Sequence, residues 1–358
     1  MLLILGVELF LQNTFFYYAM LIFIPFVGTL ILTPLLSKFA MKHNITDKPG
    51  QHKIHSKAKP VLGGLAISAC FAFTVLMFIP VDSRLFSMAV AIFLLIIIGM
   101  VDDLNGMKPL IKLTGQTAAV AIVVLWDISL YHVLLDYFAR FYLPDYLILA
   151  LIIGWIVMMI NAFNLIDGLD GLAVGTAAII FFAMVVLSMF NQVTFNVLAL
   201  QLIGLGACTG FLIFNFNPAK IFLGDTGSML LGFILATTHL YTIKYPFSAQ
   251  LVLGSMFIFA YPTLDILYTI FRRYYNKVPI FQADQRHIHH ILLNLGFSVR
   301  KSVLLIYLAN ILFASVAIIL LAIDIPTRYL FIIGIITLLL VVLFFKKLLM
   351  ISRYVGKI

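Results

Sequence analysis

The sequence carries little charge and few cysteines. Charged residues make up 10% of the chain and hydrophobic residues 63%, with a mean hydropathy of +1.14, which excludes a water-soluble globular protein. The two cysteines, Cys70 and Cys208, both fall inside apolar segments. We therefore expect buried free thiols there, not a disulfide or a metal site. No internal repeat or soluble segment interrupts the pattern, which predicts a single membrane domain over residues 1–358.

Long apolar runs are what the sequence has in abundance. About 20 apolar residues cross the ~30 Å hydrocarbon core as a helix, and only helices or closed barrels satisfy their backbone there. The alternating strands of a membrane barrel are absent from the sequence. It therefore predicts an all-α, polytopic membrane helix bundle of about eleven transmembrane helices. The predicted spans are 17–41, 61–80, 84–101, 109–126, 146–163, 171–190, 195–214, 227–243, 248–271, 302–322 and 325–345.

Basic residues predict the orientation of these spans. With the N-terminus outside and the C-terminus inside, nineteen of the 23 Lys and Arg residues fall on the inner side. The outer side keeps four, namely Arg84, Arg140, Lys244 and Arg328. Because inner loops of membrane proteins are enriched in Lys and Arg, the bias predicts N-out, C-in. The net charge of +9 then reflects topology and attraction to anionic membrane lipid, and nucleic acid is not expected as a partner.

Acidic charge is almost all aspartate, with thirteen Asp and one Glu, and it gathers on one side. Carboxylates at the ends of membrane helices can hold a divalent cation, and a cation there suggests phosphate chemistry. Eight of the aspartates flank or occupy segments assigned to the inner face: Asp47, Asp102, Asp103, Asp167, Asp170, Asp225, Asp265 and Asp284.

Asp102 and Asp103 end a predicted helix, which is the unfavourable end of the helix dipole for a carboxylate. A neighbouring cation or lysine would explain why they stand there. Adjacent helical residues point about 100° apart, so we expect the two carboxylates to have different roles. Pro109 is placed to begin the next helix, which would put Lys112 in its first turn.

Asn161, Asn164, Asp167 and Asp170 recur every three residues, so on a helix or tight turn they would share one side. Gly168, between the two aspartates, would let a ligand approach the backbone. Four carbonyl-bearing side chains in phase favour a binding site over simple helix capping.

A second polar segment runs from Asn217 to Ser228 and includes Gly-Asp-Thr-Gly-Ser. A helix that opens on this motif offers free N–H groups to an anion, while Asp225 can hold a cation beside it. Phe222 is either core packing or a platform on which a base stacks.

Two inner loops are basic. The first carries lysines with His52 and His55, and its alternatives are an anionic-substrate site or contact with lipid headgroups. The last reads Arg286-His287-Ile288-His289-His290, where phosphate contact is favoured over zinc because no partnering Cys or Glu cluster exists.

These motifs, in this order, resemble the polyprenyl-phosphate N-acetylhexosamine-1-phosphate transferases, and the resemblance covers nearly the whole chain. It implies transfer of N-acetylglucosamine-1-phosphate from UDP-N-acetylglucosamine to undecaprenyl phosphate, with release of UMP. It also implies a bacterial cytoplasmic (inner) membrane protein whose active site faces the cytoplasm and whose product initiates a cell-surface polysaccharide such as O-antigen, common antigen or a teichoic acid linkage. The oligomeric state is left open, a homodimer included.

The resemblance also implies roles for the motif residues. Asp225 would hold Mg²⁺, for which Mn²⁺ is the alternative, with Asn164 as a second ligand. Asp170 and Phe222 would lie near the uracil. The expected catalytic group around the phosphates is Asp102, Asp103, Lys112, Asp167, His287, His289 and His290. The expected substrate-binding group is His55, Asn161, Gly168, Asp170, Asn217, Phe222 and Arg286.

Asp103 is the candidate general base, but a phosphate monoester with a second pKa of about 6 is already mostly ionised at neutral pH. An ordinary aspartate is also a poor base there. We therefore expect Asp102 and Asp103 to position the metal or lysines.

Three alternatives stay open. The phospho-N-acetylmuramoyl-pentapeptide transferases of peptidoglycan synthesis typically have three successive histidines and a following glutamate, whereas Ile288 interrupts the run here. A UbiA-type prenyltransferase would show repeated Asp-rich motifs of a different spacing. A transporter would show inverted repeats and polar residues at mid-span.

Overall fold

The computed structural model describes residues 2–47, 58–126, 143–190, 193–242, 249–278, 287–323 and 327–355. Among them it is almost entirely helical. The helices are α1 Leu2–Lys42, α2 Gly63–Phe78, α3 Ser83–Asn105, α4 Pro109–Trp126, α5 Asp145–Ile166, α6 Leu172–Phe190, α7 Phe195–Asn215, α8 Gly224–Thr242, α9 Ala249–Ile258, α10 Ala260–Tyr275, α11 Ile288–Asn294, α12 Val299–Ala322 and α13 Thr327–Val355. The two strands β1, Thr46–Asp47, and β2, Lys59–Pro60, pair antiparallel.

Seven of the described helices are long and apolar enough to cross a membrane, judged by length and composition. They are α3, α4, α5, α6, α7, α12 and the Thr14–Lys42 part of α1. The all-α membrane architecture is thereby confirmed, while the number of crossings and the orientation stay predictions. Both cysteines are buried and free, as expected.

The predicted span 248–271 is not one continuous helix. The helix is interrupted at Phe259, between the end of α9 and the start of α10. Pro262 explains the break, because proline lacks the N–H that would bond the carbonyl four residues earlier and its ring displaces that carbonyl. α10 therefore has its own start, and it carries Asp265.

The centre of the bundle is α8, which packs against α2, α3, α5 and α6. Its residues are buried on nearly all sides, as expected for a helix enclosed by other helices. At Gly232 the α5 backbone approaches closely, since an added Cβ would lie 2.5 Å from the Met159 carbonyl. The residues at the start of α8 are therefore positioned by packing against several helices.

Candidate active site

The start of α8 is fixed by backbone packing that only glycine permits. A Cβ added to Gly64 of α2 would lie 2.2 Å from the Gly227 nitrogen, and one added to Gly99 of α3 would lie 2.4 Å from Thr226 Cα. The Gly64 N–H also donates to the Leu223 carbonyl at 2.8 Å. These close backbone approaches bring α2 and the end of α3 against the Gly-Asp-Thr-Gly-Ser segment.

Asp103 ties the end of α3 to that segment. Its Oδ1 accepts the Asp225 N–H at 2.7 Å, and its Oδ2 accepts the Thr226 N–H at 3.1 Å and the Thr226 hydroxyl at 2.8 Å. These are N–H groups of the first turn of α8, which have no partner within their own helix. Asp103 thus caps α8 from another helix.

Lys112 lies where three side-chain oxygens from three helices converge. Its Nζ is 2.7 Å from Asp102 Oδ2, 2.7 Å from Asp225 Oδ2 and 3.1 Å from Asn164 Oδ1. α4 begins at Pro109, so Lys112 projects from the first turn as the sequence predicts. We call Asp102, Asp103, Lys112, Asn164, Asp167 and Asp225 the carboxylate cluster.

The Asn164 amide is oriented by its neighbours. Its Nδ2 donates to Asp225 Oδ1 at 2.7 Å and to Ser228 Oγ at 3.0 Å. A carboxylate and a hydroxyl together require the amide nitrogen on that side. Asn164 Oδ1 therefore faces the Lys112 ammonium.

Asp167, just beyond the end of α5, is a carboxyl whose charged form the cluster does not compensate. Burial raises the pKa of its carboxyl well above the usual value, and the nearby charges of Asp225, Asp103 and Asp170 raise it further. No hydrogen bond to the rest of the described chain offsets these effects. A group in this state gains from any cation that enters the cluster.

The cluster fits Mg²⁺ by its donor chemistry. In the part of the chain that the structure describes, no three Asp, Glu, His or Cys side chains form a ready-made metal site. Magnesium does not need one, since it is usually bound by one or two carboxylates together with substrate phosphates and water. The side chain of Asp225 is 35% exposed, against 12% for Asp102, so Asp225 is the more accessible carboxylate.

Asp170 belongs to a separate group, which we call the Asp170 pocket. Its Oδ2 accepts the Ala219 N–H at 2.8 Å and Asn217 Nδ2 at 3.0 Å, and pairs with Lys59 Nζ at 3.4 Å. The Lys59 ammonium also lies 4.9 Å from the centre of the Phe222 ring. The β2 strand places Lys59 here, because the Pro60 carbonyl accepts the Phe222 N–H at 2.8 Å.

The histidines form a third group, on and just before α11. The His287 and His289 rings stack with centroids 5.6 Å apart, and the His289 and His290 centroids are 4.3 Å apart. A Cβ added to Gly168 would lie 2.4 Å from His289 Nε2, so His289 packs directly on the loop between Asp167 and Asp170. Burial lowers the pKa of His289 to about 3, which keeps its ring neutral.

The structure therefore brings most of the predicted site residues to one end of the bundle, in three adjoining groups. Asn161 differs, because its Nδ2 donates to Gln116 Oε1 of α4 and to the Val157 carbonyl, both at 2.8 Å. His55 and Arg286 lie outside the described residues. Sequence reasoning did not assign Lys59, Thr226, Ser228 and Asp265 to the site; Lys59 lies in the basic first loop, and Thr226 and Ser228 lie inside a motif already singled out.

Comparison with known proteins places this arrangement in a family. The model of "Glycosyl transferase family 4" matches residues 85–243. A "Probable undecaprenyl-phosphate N-acetylglucosaminyl 1-phosphate transferase" of Bacillus subtilis is 33% identical over 298 residues, 83% of each chain. The Escherichia coli K12 "Undecaprenyl-phosphate alpha-N-acetylglucosaminyl 1-phosphate transferase" is 30% identical over 304 residues, 82% of this chain and 81% of the relative.

A third relative carries a different lipid in its name. The "Decaprenyl-phosphate N-acetylglucosaminephosphotransferase" of Mycolicibacterium smegmatis is 32% identical over 311 residues, 78% of this chain and 76% of the relative. Identity above 30% over more than two thirds of the chain, together with the family match, establishes the relationship. The chain belongs to glycosyl transferase family 4.

Proposed function

We propose that this protein transfers N-acetylglucosamine-1-phosphate from UDP-N-acetylglucosamine to undecaprenyl phosphate and releases UMP, which initiates a cell-surface polysaccharide. The observation that carries the proposal is the carboxylate cluster, where oxygens of Asp102, Asn164 and Asp225 surround one ammonium. The names of the relatives support the same transferred sugar phosphate and the same lipid phosphate.

The reaction brings two phosphate-bearing substrates together, so positive charge must screen them. Lys112 supplies one charge. We propose that Asp225 and Asn164 hold Mg²⁺, which when bound neutralises the phosphate charge and polarises the reacting phosphoryl group. The raised pKa of Asp167 supports a cation at this place, because a cation would stabilise the charged form that burial and the neighbouring aspartates disfavour.

The transfer does not require removal of a proton from the nucleophile. An oxygen of the lipid phosphate attacks the sugar-linked phosphorus in line, a new P–O bond forms, and the phosphoanhydride bond breaks. The bonding electron pair leaves with UMP. Because the lipid phosphate is mostly dianionic near neutral pH, no general base is needed to generate the nucleophile.

Asp103 has a positioning role in this scheme. Its two oxygens already accept three hydrogen bonds from Asp225 and Thr226, so the carboxylate is committed to the start of α8. It holds Asp225 at the place where the cation is needed. This geometry supports the expectation that Asp103 organises the site and does not abstract a proton.

For the donor nucleotide we propose the Asp170 pocket. A carboxylate that accepts N–H donors can exchange one for the N–H of a uracil ring, and the Phe222 ring offers an apolar face for stacking. Lys59 contacts both Asp170 and Phe222, so its ammonium would add positive charge beside a nucleotide bound there. The pocket adjoins the carboxylate cluster through Asp167 and Gly168, so the base and the reacting phosphate would lie in neighbouring sites.

The biochemical test is incubation of the purified protein with undecaprenyl phosphate, Mg²⁺ and a panel of UDP-sugars that includes UDP-N-acetylmuramoyl-pentapeptide. We expect stoichiometric UMP and a lipid product whose mass adds one N-acetylhexosamine phosphate. Product only from the muramoyl donor would support the peptidoglycan alternative. Absence of UMP with every donor would reject the transferase and leave the prenyltransferase or transporter.

Membrane placement needs its own test. We propose that the protein lies in the bacterial cytoplasmic membrane with the site facing the cytoplasm. Val81 and Lys108 are exposed and lie beyond opposite ends of α3. Single cysteines there, in a background lacking Cys70 and Cys208, should react with impermeant reagents from opposite sides of intact cells, Val81→Cys from outside. Labelling of Lys108→Cys from outside would reverse the orientation.

A further inference from the structure

A buried carboxylate outside the proposed transfer scheme anchors the histidines. Asp265 of α10 is 0% exposed, and its Oδ2 lies 2.8 Å from His287 Nδ1. Its Oδ1 accepts the Ile288 N–H at 2.8 Å, so the same carboxylate holds both the His287 ring and the first residue of α11. Buried carboxylates are costly unless they are paired and hydrogen-bonded, and these contacts satisfy Asp265.

The contacts around His287 also determine which ring nitrogen carries a proton. Thr269 Oγ1 lies 3.2 Å from His287 Nδ1, and it donates its own hydrogen to the Asp265 carbonyl at 2.9 Å. The Asp265 carboxylate can only accept. Because both neighbours of Nδ1 act as acceptors, Nδ1 must be the donor, and Nε2 is the nitrogen left for other partners.

The anchored ring is connected to the proposed site by packing. His287 stacks on His289 with an angle of 6° between the rings, and His289 packs on Gly168. Within the described residues, neither ring nitrogen of buried His289 has a hydrogen-bond partner. No hydrogen bond from a described residue therefore fixes His289, and its position depends on packing against His287, His290 and the Gly168 loop.

We propose that Asp265 is a positioning residue that fixes the His287 tautomer and docks the His-x-His-His segment against the Gly168 loop, which carries Asp167 and Asp170. The inference rests on the proposed function for its kinetic consequence, whereas the tautomer is a property of the protein alone. Asp265 would therefore affect the reaction only through His287.

Kinetics of Asp265→Asn give the first test. The amide keeps the shape but can donate to Nδ1, which would favour the wrong tautomer, as when an orienting carboxylate is replaced in a catalytic triad. We expect kcat for UMP release to fall about 10–100-fold, the usual cost of losing an orienting outer partner. Asp82→Asn is the matched control. Asp82 caps the N-terminal end of α3, away from Asp102 and Asp103, by accepting the Leu85 N–H at 2.8 Å. The control should keep wild-type kcat.

A double-mutant cycle separates positioning from general destabilisation. If Asp265 acts through His287, Asp265→Asn should add less than about twofold to the loss caused by His287→Asn, because residues in one network are not additive. Full additivity of the two losses would overturn the proposal. So would an Asp265→Asn enzyme with kcat within twofold of wild type.

Nitrogen NMR of ¹⁵N-histidine protein, with His287→Asn used to assign the signal, tests the tautomer without any activity. Nδ1 of His287 should be protonated in wild type and in Thr269→Val, which keeps Asp265. A bare Nδ1 in the wild-type protein would reject the inference even if Asp265→Asn does not fold. Failure of wild type to form any lipid product would instead reject the proposed function and leave this measurement intact.

Discussion

The carboxylate cluster and the histidine group adjoin at one end of the bundle, but their charges are balanced differently. The cluster holds four aspartates and one lysine, of which only Asp102 and Asp225 contact Lys112, and the pKa of Asp167 is raised. In the histidine group, the single carboxylate of Asp265 has all its contacts met by His287 and Ile288. The carboxylate cluster can still gain a cation, whereas the Asp265 carboxylate is already paired. We therefore expect Mg²⁺ and pH to affect the carboxylate cluster, whereas the histidine group is tested by substitution of Asp265 or His287.

The largest effect is expected from Asp225→Asn, which removes the accessible carboxylate of the cluster. The neutral amide cannot replace a charged ligand of a hard cation, so kcat should fall on the order of 10³-fold. Excess Mg²⁺ should restore little of it. UMP release across a Mg²⁺ titration measures this, with thermal unfolding in detergent to show that the variant folds. Near-normal turnover at ordinary Mg²⁺ would remove Asp225 from the metal site.

Asp103→Asn should have the next largest effect, a loss of about 10–100-fold. Its amide would turn an N–H toward the Asp225 or Thr226 donors and displace the start of α8. Because this is a positional defect, the deficit should stay constant from about pH 6 to 9, above the lipid phosphate pKa. The measurement is kcat against pH with saturating Mg²⁺. A deficit that shrinks steadily as pH rises would instead identify Asp103 as the general base.

Asp167→Asn should lower activity about tenfold yet stabilise the metal-free protein at neutral pH. A carboxyl whose pKa is raised on folding stabilises the protein below the unfolded pKa of about 3.9, and this contribution is lost as pH rises through the folded pKa. The variant avoids that loss, so its Tm at pH 8 without Mg²⁺ should exceed wild type, by about 2–4 °C per kcal/mol recovered.

Two comparisons sharpen that test. At pH 4 the Tm difference between wild type and Asp167→Asn should be small, because the carboxyl is protonated. Mg²⁺ should raise the Tm of wild type more than that of the variant, since the charged side chain contributes to binding. Equal Tm values for the two proteins at pH 8 without Mg²⁺ would show that Asp167 is already compensated.

The smallest effect is expected from Asn161→Ala. Its amide bonds Gln116 inside the bundle, and such bonds between membrane helices contribute about 0.6 kcal/mol on average. We expect a slightly lower Tm and a KM for the UDP-sugar within about twofold of wild type. A tenfold higher KM with unchanged Tm would restore Asn161 to the substrate site.

Sequence reasoning identified much of the carboxylate cluster because the membrane restricts where charge can stand. Asp102, Asp103, Lys112 and Asp225 were recognisable as polar residues at helix ends on one side. The three-residue spacing of Asn161 and Asn164 predicted a shared side of α5, but not that Asn161 would meet Gln116 while Asn164 meets Asp225. Periodicity gives a direction around a helix, and neighbouring helices decide what stands there.

Asp265 shows the opposite limit. The sequence placed it at the inner face but gave it no partner, because His287 lies 22 residues further along the chain, beyond the end of α10. Its role depends on α10 starting anew after Phe259, which the apolar run 248–271 conceals. Hydropathy does not register one proline among apolar residues, whereas the backbone hydrogen-bond pattern does.

By itself, the sequence determined that this is a helical membrane protein, and it predicted that most aspartates and basic residues gather on one side, since apolar length and charge asymmetry follow from the cost of polar groups in lipid. Only the tertiary structure decided which partners two adjacent residues contact and therefore which roles they have. Asp102 contacts Lys112, while Asp103 caps α8. Side chains about 100° apart on one helix reach different neighbours, and those neighbours come from helices distant in sequence.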